Sequence, residues 1–447
     1  MLYRIVLPLV LLASFALWQG CGQSNFNDSE VNSAVTTADE ETTNNNTTDN
    51  DTTDTTAPTI SSTYPSDSAS SVAPNTSLTV TFSEAMDTTT FTTNTSNTTC
   101  SGSLQVSSDS FSSCVQMSAS PSISNSNKTL TVTPASSLSY STTYKIRVTT
   151  GVKDYAGNTL GSQYETSSGF TTSEIFVAVG QSGTIITSLD GITWTSRTSG
   201  SSNYLTSVTY GNSIFVTSGN SGTVLTSSDL NSWDNRTSGT TNLLRTITYG
   251  NGIFVAVDPL EKVHTSLDNG TSWTTRNSGA SDDLWGVSYG NGIFVAAGYS
   301  GIILTSSDGI TWNSRTSGTT KELNGVTYAA STFFVVGEDG TILTSSDGIT
   351  WTSRSYSTAR NLIGITYGNG VFVTTGTMGF MLTSSDGITW TSRTSGTSKA
   401  IPSVSYGNNT FVVVGEDGLI LTSSDAITWT SRTSGTSNHL ESVIYTD

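Results

Sequence analysis

The sequence predicts an all-β protein: a β-sandwich followed by a seven-bladed β-propeller that its C-terminal strand closes. Three observations lead there. Charged residues fill only 11% of the 447 positions, against about 25% in an ordinary soluble chain. Ser, Thr, Asn and Gly take up much of the difference, which favours strands and turns over helices. Apolar positions alternate in short runs between residues 57 and 173, the period of a half-buried strand. From residue 174 to 447 one motif returns seven times at a step of 39 residues, with a single step of 40; four β-rich runs in such a period are the mark of a propeller blade.

Composition also limits function. Basic residues number 17 and acidic residues 34, a net charge of -17, which disfavours nucleic acid because phosphate neutralisation drives that affinity. Three cysteines and two histidines, His264 and His439, are too few for a zinc cluster. No phosphate-cradling loop or metal-ligand spacing occurs, so neither cofactor nor metal is expected.

In chain order, residues 1–20 read MLYRIVLPLVLLASFALWQG, with Arg4 ahead of an apolar stretch from Ile5 to Trp18. This is the grammar of a secretion signal, and the stretch is shorter than the ~20 residues a membrane-crossing helix needs. Cys21, preceded by Gly20 and with Leu17 four positions upstream, resembles the lipobox cysteine of bacterial lipoproteins, although Trp18 and Gln19 depart from its usual aliphatic and small residues. The resemblance implies lipidation of Cys21 and a membrane anchor in the cell envelope. Gly22 in place of Asp points to the outer membrane or cell surface. Simple secretion is the alternative. Residues 21–56 are a Thr/Asn/Asp-rich acidic tether; from residue 23 they carry eight acidic side chains and no Lys or Arg, and cannot bury a core. With Cys21 acylated, Cys100 and Cys114 are left to form a disulfide, closing a loop of about 15 residues; two free thiols are the alternative.

Residues 57–173 contain SLTVTF, TLTVTP and TYKIRV, in which Leu78, Val80 and Phe82, Leu130 and Val132, and Tyr144, Ile146 and Val148 share faces. The segments APTISSTYPSDSASSVAPNTSLTVTFSEAMD and LTVTPASSLSYSTTYKIRVTTGVKDYAGNTL resemble the bacterial Ig-like domain of S-layer and other surface proteins. That resemblance implies a spacer or adhesive unit without catalytic residues. Glu84 and Asp87 could suggest a cation site, but a solvated turn explains them.

Each later repeat reads LxSVTYGN, IFVAVG, TILTSSD and WTSRTSG. The first copy starts at the second run, and its missing run appears at the end as Leu440 to Tyr445, so the two termini should share one blade. The segment SSDGITW resembles the Asp-box turn of BNR and sialidase-type propellers, and Ser266-Leu267-Asp268-Asn269-Gly270-Thr271-Ser272-Trp273 fits it in full. The repeat also resembles the propellers of photosystem II assembly factors. The pairs Asp190 and Trp194, Asp229 and Trp233, Asp268 and Trp273, Asp308 and Trp312, Asp347 and Trp351, Asp386 and Trp390, and Asp425 and Trp429 then imply an architectural role. The carboxylate accepts backbone N–H groups, and the indole packs into the blade. A group present seven times around a ring cannot mark one site.

No catalytic set emerges. Beyond the repeat arginines the propeller has only Arg245 and Arg360, too few for the arginine cluster that a sialidase needs. Glu338-Asp339 and Glu416-Asp417 could serve a glycosidase, yet both lie in VGEDG turns. Gly286-Val287-Ser288-Tyr289-Gly290 matches a hydrolase elbow, but within a repeat strand. What varies between copies clusters in two loops at one end of the ring, giving a candidate ligand face of Tyr204, Arg245, Trp285, Tyr299, Glu338, Asp339, Arg360, Glu416 and Asp417. Aromatic and guanidinium groups are typical of binding hot spots. The expectation is a monomeric, non-enzymatic envelope lipoprotein whose propeller binds an envelope or extracellular protein or glycan. A carboxylate-dependent glycosidase or lyase, and a structural or assembly factor, are the alternatives.

Overall fold

The computed structural model describes residues 54–446. The signal segment 1–20, Cys21 and the tether up to residue 53 lie outside the described residues. The tether was expected to run to residue 56, but its last residues belong to the sandwich. The Asp54 carboxylate accepts the Thr56 N–H at 2.9 Å, and its carbonyl accepts Asn158 Nδ2 at 2.9 Å.

The alternation read from the sequence becomes two facing sheets. One orders Ile60–Tyr64, Leu78–Phe82, Thr129–Val132 and Ser122–Ser124; the other pairs Leu104–Ser107, Thr143–Val148, Tyr164–Glu165 and Phe170–Thr171. Leu78, Val80, Phe82, Leu130, Val132, Ile146 and Val148 are buried in one cluster between them, which is the favourable burial that orders these strands. Cys100 and Cys114 are bridged, with Cα atoms 4.9 Å apart. Asp87 caps the short turn Thr88–Thr90 by accepting the Thr89 N–H at 3.0 Å. Glu84 instead gathers with Asp54 and Asp154, their oxygens within 4.8 Å. Burial, then the charges of Asp54 and Asp154, push the Glu84 carboxyl above its ordinary value.

The described residues after 174 form seven four-stranded antiparallel sheets. Blade 2 shows the plan: Leu205–Gly211, Ile214–Gly219, Thr223–Ser227 and Asp234–Thr237, from the axis outward. Blade 1 is composite. Phe176–Gly180, Ile185–Ser188 and Thr195–Arg197 are completed by Leu440–Tyr445, which pairs Tyr445 with Phe176 and Val443 with Ala178. Neighbouring blades interlock through glycine. A Cβ on Gly211, Gly250, Gly290, Gly368 or Gly407 would fall 2.0–2.1 Å from the ring of Tyr249, Tyr289, Tyr328, Tyr406 or Tyr445. The closing contact, Gly407 with Tyr445, therefore repeats the geometry of the internal ones.

The seven Asp turns are architectural. Asp308 accepts the N–H groups of Ile310 and Thr311, both at 2.8 Å, and Asp190, Asp229, Asp347, Asp386 and Asp425 accept the equivalent pair. Asp268, in the longer turn, accepts one backbone N–H, that of Ser272, together with the Ser266 and Ser272 hydroxyls. At Asp386 the N–H groups of Thr389 and Ile388 hold the carboxyl down at about 2, since bonds to the charged form favour it. Trp273 and Trp390 are buried, whereas Trp194, Trp233, Trp312, Trp351 and Trp429 are half-buried. The expected burial of every turn tryptophan is thus met fully only in blades 3 and 6. The repeat arginines bond their own blade, as in Arg315 Nε to Thr305 Oγ1 at 2.8 Å. Arg354 Nε has no partner, because Thr344 bonds the Thr352 carbonyl at 3.4 Å instead.

Blades 2 and 3 depart furthest from the repeat; blade 7 also lacks the turn glycine, with the smaller Ala426 at φ +58°. In blade 2, Leu230 replaces the turn glycine, takes φ +63°, and is fully buried. It shares a cluster with Phe215, Leu225 and Tyr140 of the sandwich, and Tyr210 Oη donates to the Tyr140 carbonyl at 2.5 Å. The sandwich is therefore seated on blade 2 rather than strung beside it. In blade 3, Asp258 and His264 stand where other copies have glycine and an aliphatic residue, and both are fully buried. The Asp258 carboxylate accepts the Leu260 and Lys262 N–H groups and Asn242 Nδ2, with His264 Nε2 at 3.0 Å. Every oxygen of that buried charge is satisfied, as burial requires.

Candidate binding site at the channel mouth

Seven inner strands line the axis. Leu205, Leu244, Leu284, Leu323, Leu362, Ile401 and Leu440 are buried at their entrance; the next residue sits at a β-bulge in five of these strands and just before the strand in the other two, and a bulge re-aims a side chain out of the ladder. Those residues are Thr206, Arg245, Trp285, Asn324, Ile363, Pro402 and Glu441, and they line a channel of about 170 Å³. Several also stitch one blade to the next: Thr206 Oγ1 donates to the Leu244 carbonyl at 2.6 Å, Thr246 Oγ1 to Trp285 at 2.6 Å, and Asn324 Nδ2 to Leu362 at 3.0 Å. Gly286 also lies here. A Cβ on it would come within 3.1–3.2 Å of Asn324 and Val326, so close strand approach explains this glycine, not a nucleophile elbow.

Glu441, on the closing strand, is the hub of the mouth. Tyr204 Oη donates to its Oε2 at 2.7 Å, His439 Nε2 lies 2.8 Å from the same oxygen, and Arg245 Nη1 is 3.2 Å from Oε1. Burial alone would raise the Glu441 pKa. The His439 hydrogen bond, the Arg245 charge and the Tyr204 hydroxyl outweigh it and hold the carboxyl below its ordinary value. Burial, then the Glu441 charge, pushes the Tyr204 phenol well above its ordinary range. A Tyr/Glu pair is one part of what a sialidase uses as a nucleophile, but a single arginine, Arg245, faces this one, and it is already paired with Glu441.

Arg245 also lies over Trp285, 5.0 Å from the ring centroid. The Trp285 Nε1–H is buried without an acceptor among the described residues, an unmet demand at the site where the aromatic and guanidinium groups converge. On the acidic flank, the Glu322 N–H donates to Glu338 Oε2 at 3.3 Å and its carbonyl accepts the Glu338 N–H at 2.8 Å, while its carboxylate has no hydrogen bond or ion pair among the described residues. Burial, then the Glu338 charge, raises its carboxyl.

The proposed face therefore divides. Tyr204, Arg245 and Trp285 come together at the axis. Tyr299 stands on a rim turn, 50% exposed, and Arg360 contacts the Met378 sulfur on another. Glu338 and Asp339 flank Lys321, at 4.0 and 2.5 Å. Asp417 pairs with Lys399 at 3.3 Å, and Glu416 accepts the Ala400 N–H at 3.0 Å. Asp339 and Asp417 have φ near the left-handed values of the equivalent residues in other blades, so the carboxylate pairs are turn residues with local partners. Sequence reasoning missed Glu441 as a hub, although alignment of the seven copies places it level with Arg245 and Trp285.

Residues 54–172 match the bacterial Ig-like domain family, and residues 286–403 match the DUF6242 β-propeller domain. No curated protein matches. Among solved structures, the chain is similar to YCF48 bound to D1 peptide (18% identity, 56% of this chain and 87% of that one, TM-score 0.46). It is similar to YCF48 from Cyanidioschyzon merolae (15%, 52% and 86%, TM-score 0.43) and to the WD40 β-propeller domain of Doa1 (14%, 57% and 91%, TM-score 0.48). The chain is thus an all-β protein that joins an Ig-like domain to a β-propeller domain.

Proposed function

We propose that this chain is a non-enzymatic cell-envelope lipoprotein, anchored through Cys21, whose propeller presents the channel mouth to a partner protein. The observation that carries the reading is the convergence of Tyr204, Arg245 and Trp285 from three blades, with the Trp285 indole N–H left without an acceptor. Aromatic and guanidinium anchors around a partly desolvated centre are the chemistry of protein hot spots. The signal segment and lipobox-like Cys21 support the envelope address. Crosslinking capture from envelope extract, followed by titration of the purified partner, tests the site. Trp285→Ala with Arg245→Ala should abolish binding while circular dichroism stays unchanged. A partner held equally well by that variant removes the mouth from consideration. Metabolic acyl labelling, lost in Cys21→Ser, tests the anchor.

A further inference from the structure

A second concavity lies where the sandwich meets blade 1, on the side of the Asp turns: a cleft of about 430 Å³. Its size falls in the range of ~300–1,000 Å³ typical of ligand sites, and domain junctions are where such sites concentrate. All seven blades carry the same Asp and Arg on this surface. The sandwich rests on this surface at blade 2, through Tyr140 and Leu230, and leaves the cleft beside it over Asp190 and Arg197 of blade 1. That seat is fixed in advance, because Tyr140 is buried and its carbonyl accepts the Tyr210 hydroxyl. A preformed cleft binds without the ordering cost of a mobile one.

Its polar groups are partly spent and partly free. Arg197 Nε bonds Thr187 Oγ1 at 2.9 Å and Nη1 bonds Asn231 Oδ1 at 2.9 Å. The Arg197 Nη2, the Asn231 and Asn75 amide nitrogens, and the Ser137 and Thr195 hydroxyls line the cleft with no partner among the described residues. Asp190 and Arg197 are its only charges, and they cancel. Leu189, 55% exposed, supplies an apolar edge.

We infer that this junction cleft binds a neutral saccharide unit, held through Asn75, Arg197 and Asn231 and laid against Leu189. The chemistry selects that class. Short amides and hydroxyls that both donate and accept match vicinal sugar hydroxyls, and the apolar edge matches the C–H face of a pyranose. An anionic ligand would need uncompensated positive charge, and a peptide anchor would need a deep apolar pocket; here Asp190 balances Arg197, and Leu189 is the exposed large apolar side chain of the lining. The site is separate from the channel mouth and does not depend on it.

The test is a glycan array of neutral hexose and N-acetylhexosamine oligosaccharides beside sialylated and phosphorylated ones, probed with the full chain. Calorimetric titration of the best neutral binder follows. Asn75→Trp fills the cleft from an exposed loop, and Asn231→Ala removes an exposed amide, so both variants should keep the wild-type melting temperature. Each should weaken binding at least ~10-fold, whereas Trp285→Ala leaves it unchanged. The inference fails if no neutral glycan binds more tightly than ~1 mM, if anionic glycans are preferred, or if either cleft variant loses less than tenfold.

Discussion

Truncating Leu440 to Ala asks whether the last strand closes the ring. The side chain is fully buried in one cluster with Phe176 and Ile186 of blade 1, Val412, Val414 and Ile420 of blade 7, and Val443. It therefore ties the first blade to the last. Removing its three carbons forfeits about 2.5 kcal/mol of transfer free energy at ~0.8 kcal/mol per methylene. The neighbours come from two different sheets and cannot all collapse, so a residual cavity adds about 1 kcal/mol. The expected destabilisation is about 3–4 kcal/mol by equilibrium urea unfolding. Hydrogen exchange should localise the effect: amides of Leu440–Tyr445 and of the paired Phe176–Gly180 should lose protection, while those of blade 4 keep theirs. A variant that loses under ~1 kcal/mol, with exchange unaltered in both strands, would refute a closed ring.

Two further perturbations test the hub and the bridge. Glu441 has a folded pKa below its ordinary value, so it adds stability above that ordinary value, and the contribution is lost as pH falls through the depressed one. The gap between wild type and Glu441→Gln in urea unfolding should thus be widest at neutral pH and shrink in acid. A gap independent of pH would mean that the carboxylate is not the clasp. Replacing Cys100 and Cys114 with Ser frees a 14-residue separation and should cost about 3 kcal/mol, seen as a lower melting temperature that reductant reproduces in the wild type and not in the variant.

Repetition made the propeller readable. A 39-residue step with a tryptophan, an aspartate and an arginine at constant offsets admits few other folds, and the offset between the two termini already implied the shared blade. The sandwich was readable because alternation at Leu78, Val80 and Phe82 leaves one choice of face. Other features were hidden for a common reason. Leu230 looks like a degenerate turn until Tyr140, ninety positions earlier, is seen in its cluster. Glu84 looks solitary until Asp54 and Asp154 arrive beside it.

The channel mouth divides along the same line. Variation between copies marked Tyr204, Arg245 and Trp285, because their positions change from copy to copy while the blade-forming positions repeat. Glu441 escaped, since two of its three partners, Tyr204 and Arg245, lie more than 190 residues away in the chain and become neighbours only when the last strand docks against the first. Local pattern reports the face a side chain occupies, because backbone periodicity is a property of a few consecutive residues. Which charges meet on that face, and which clefts a second domain encloses, depends on closing long loops, and only the folded chain decides that.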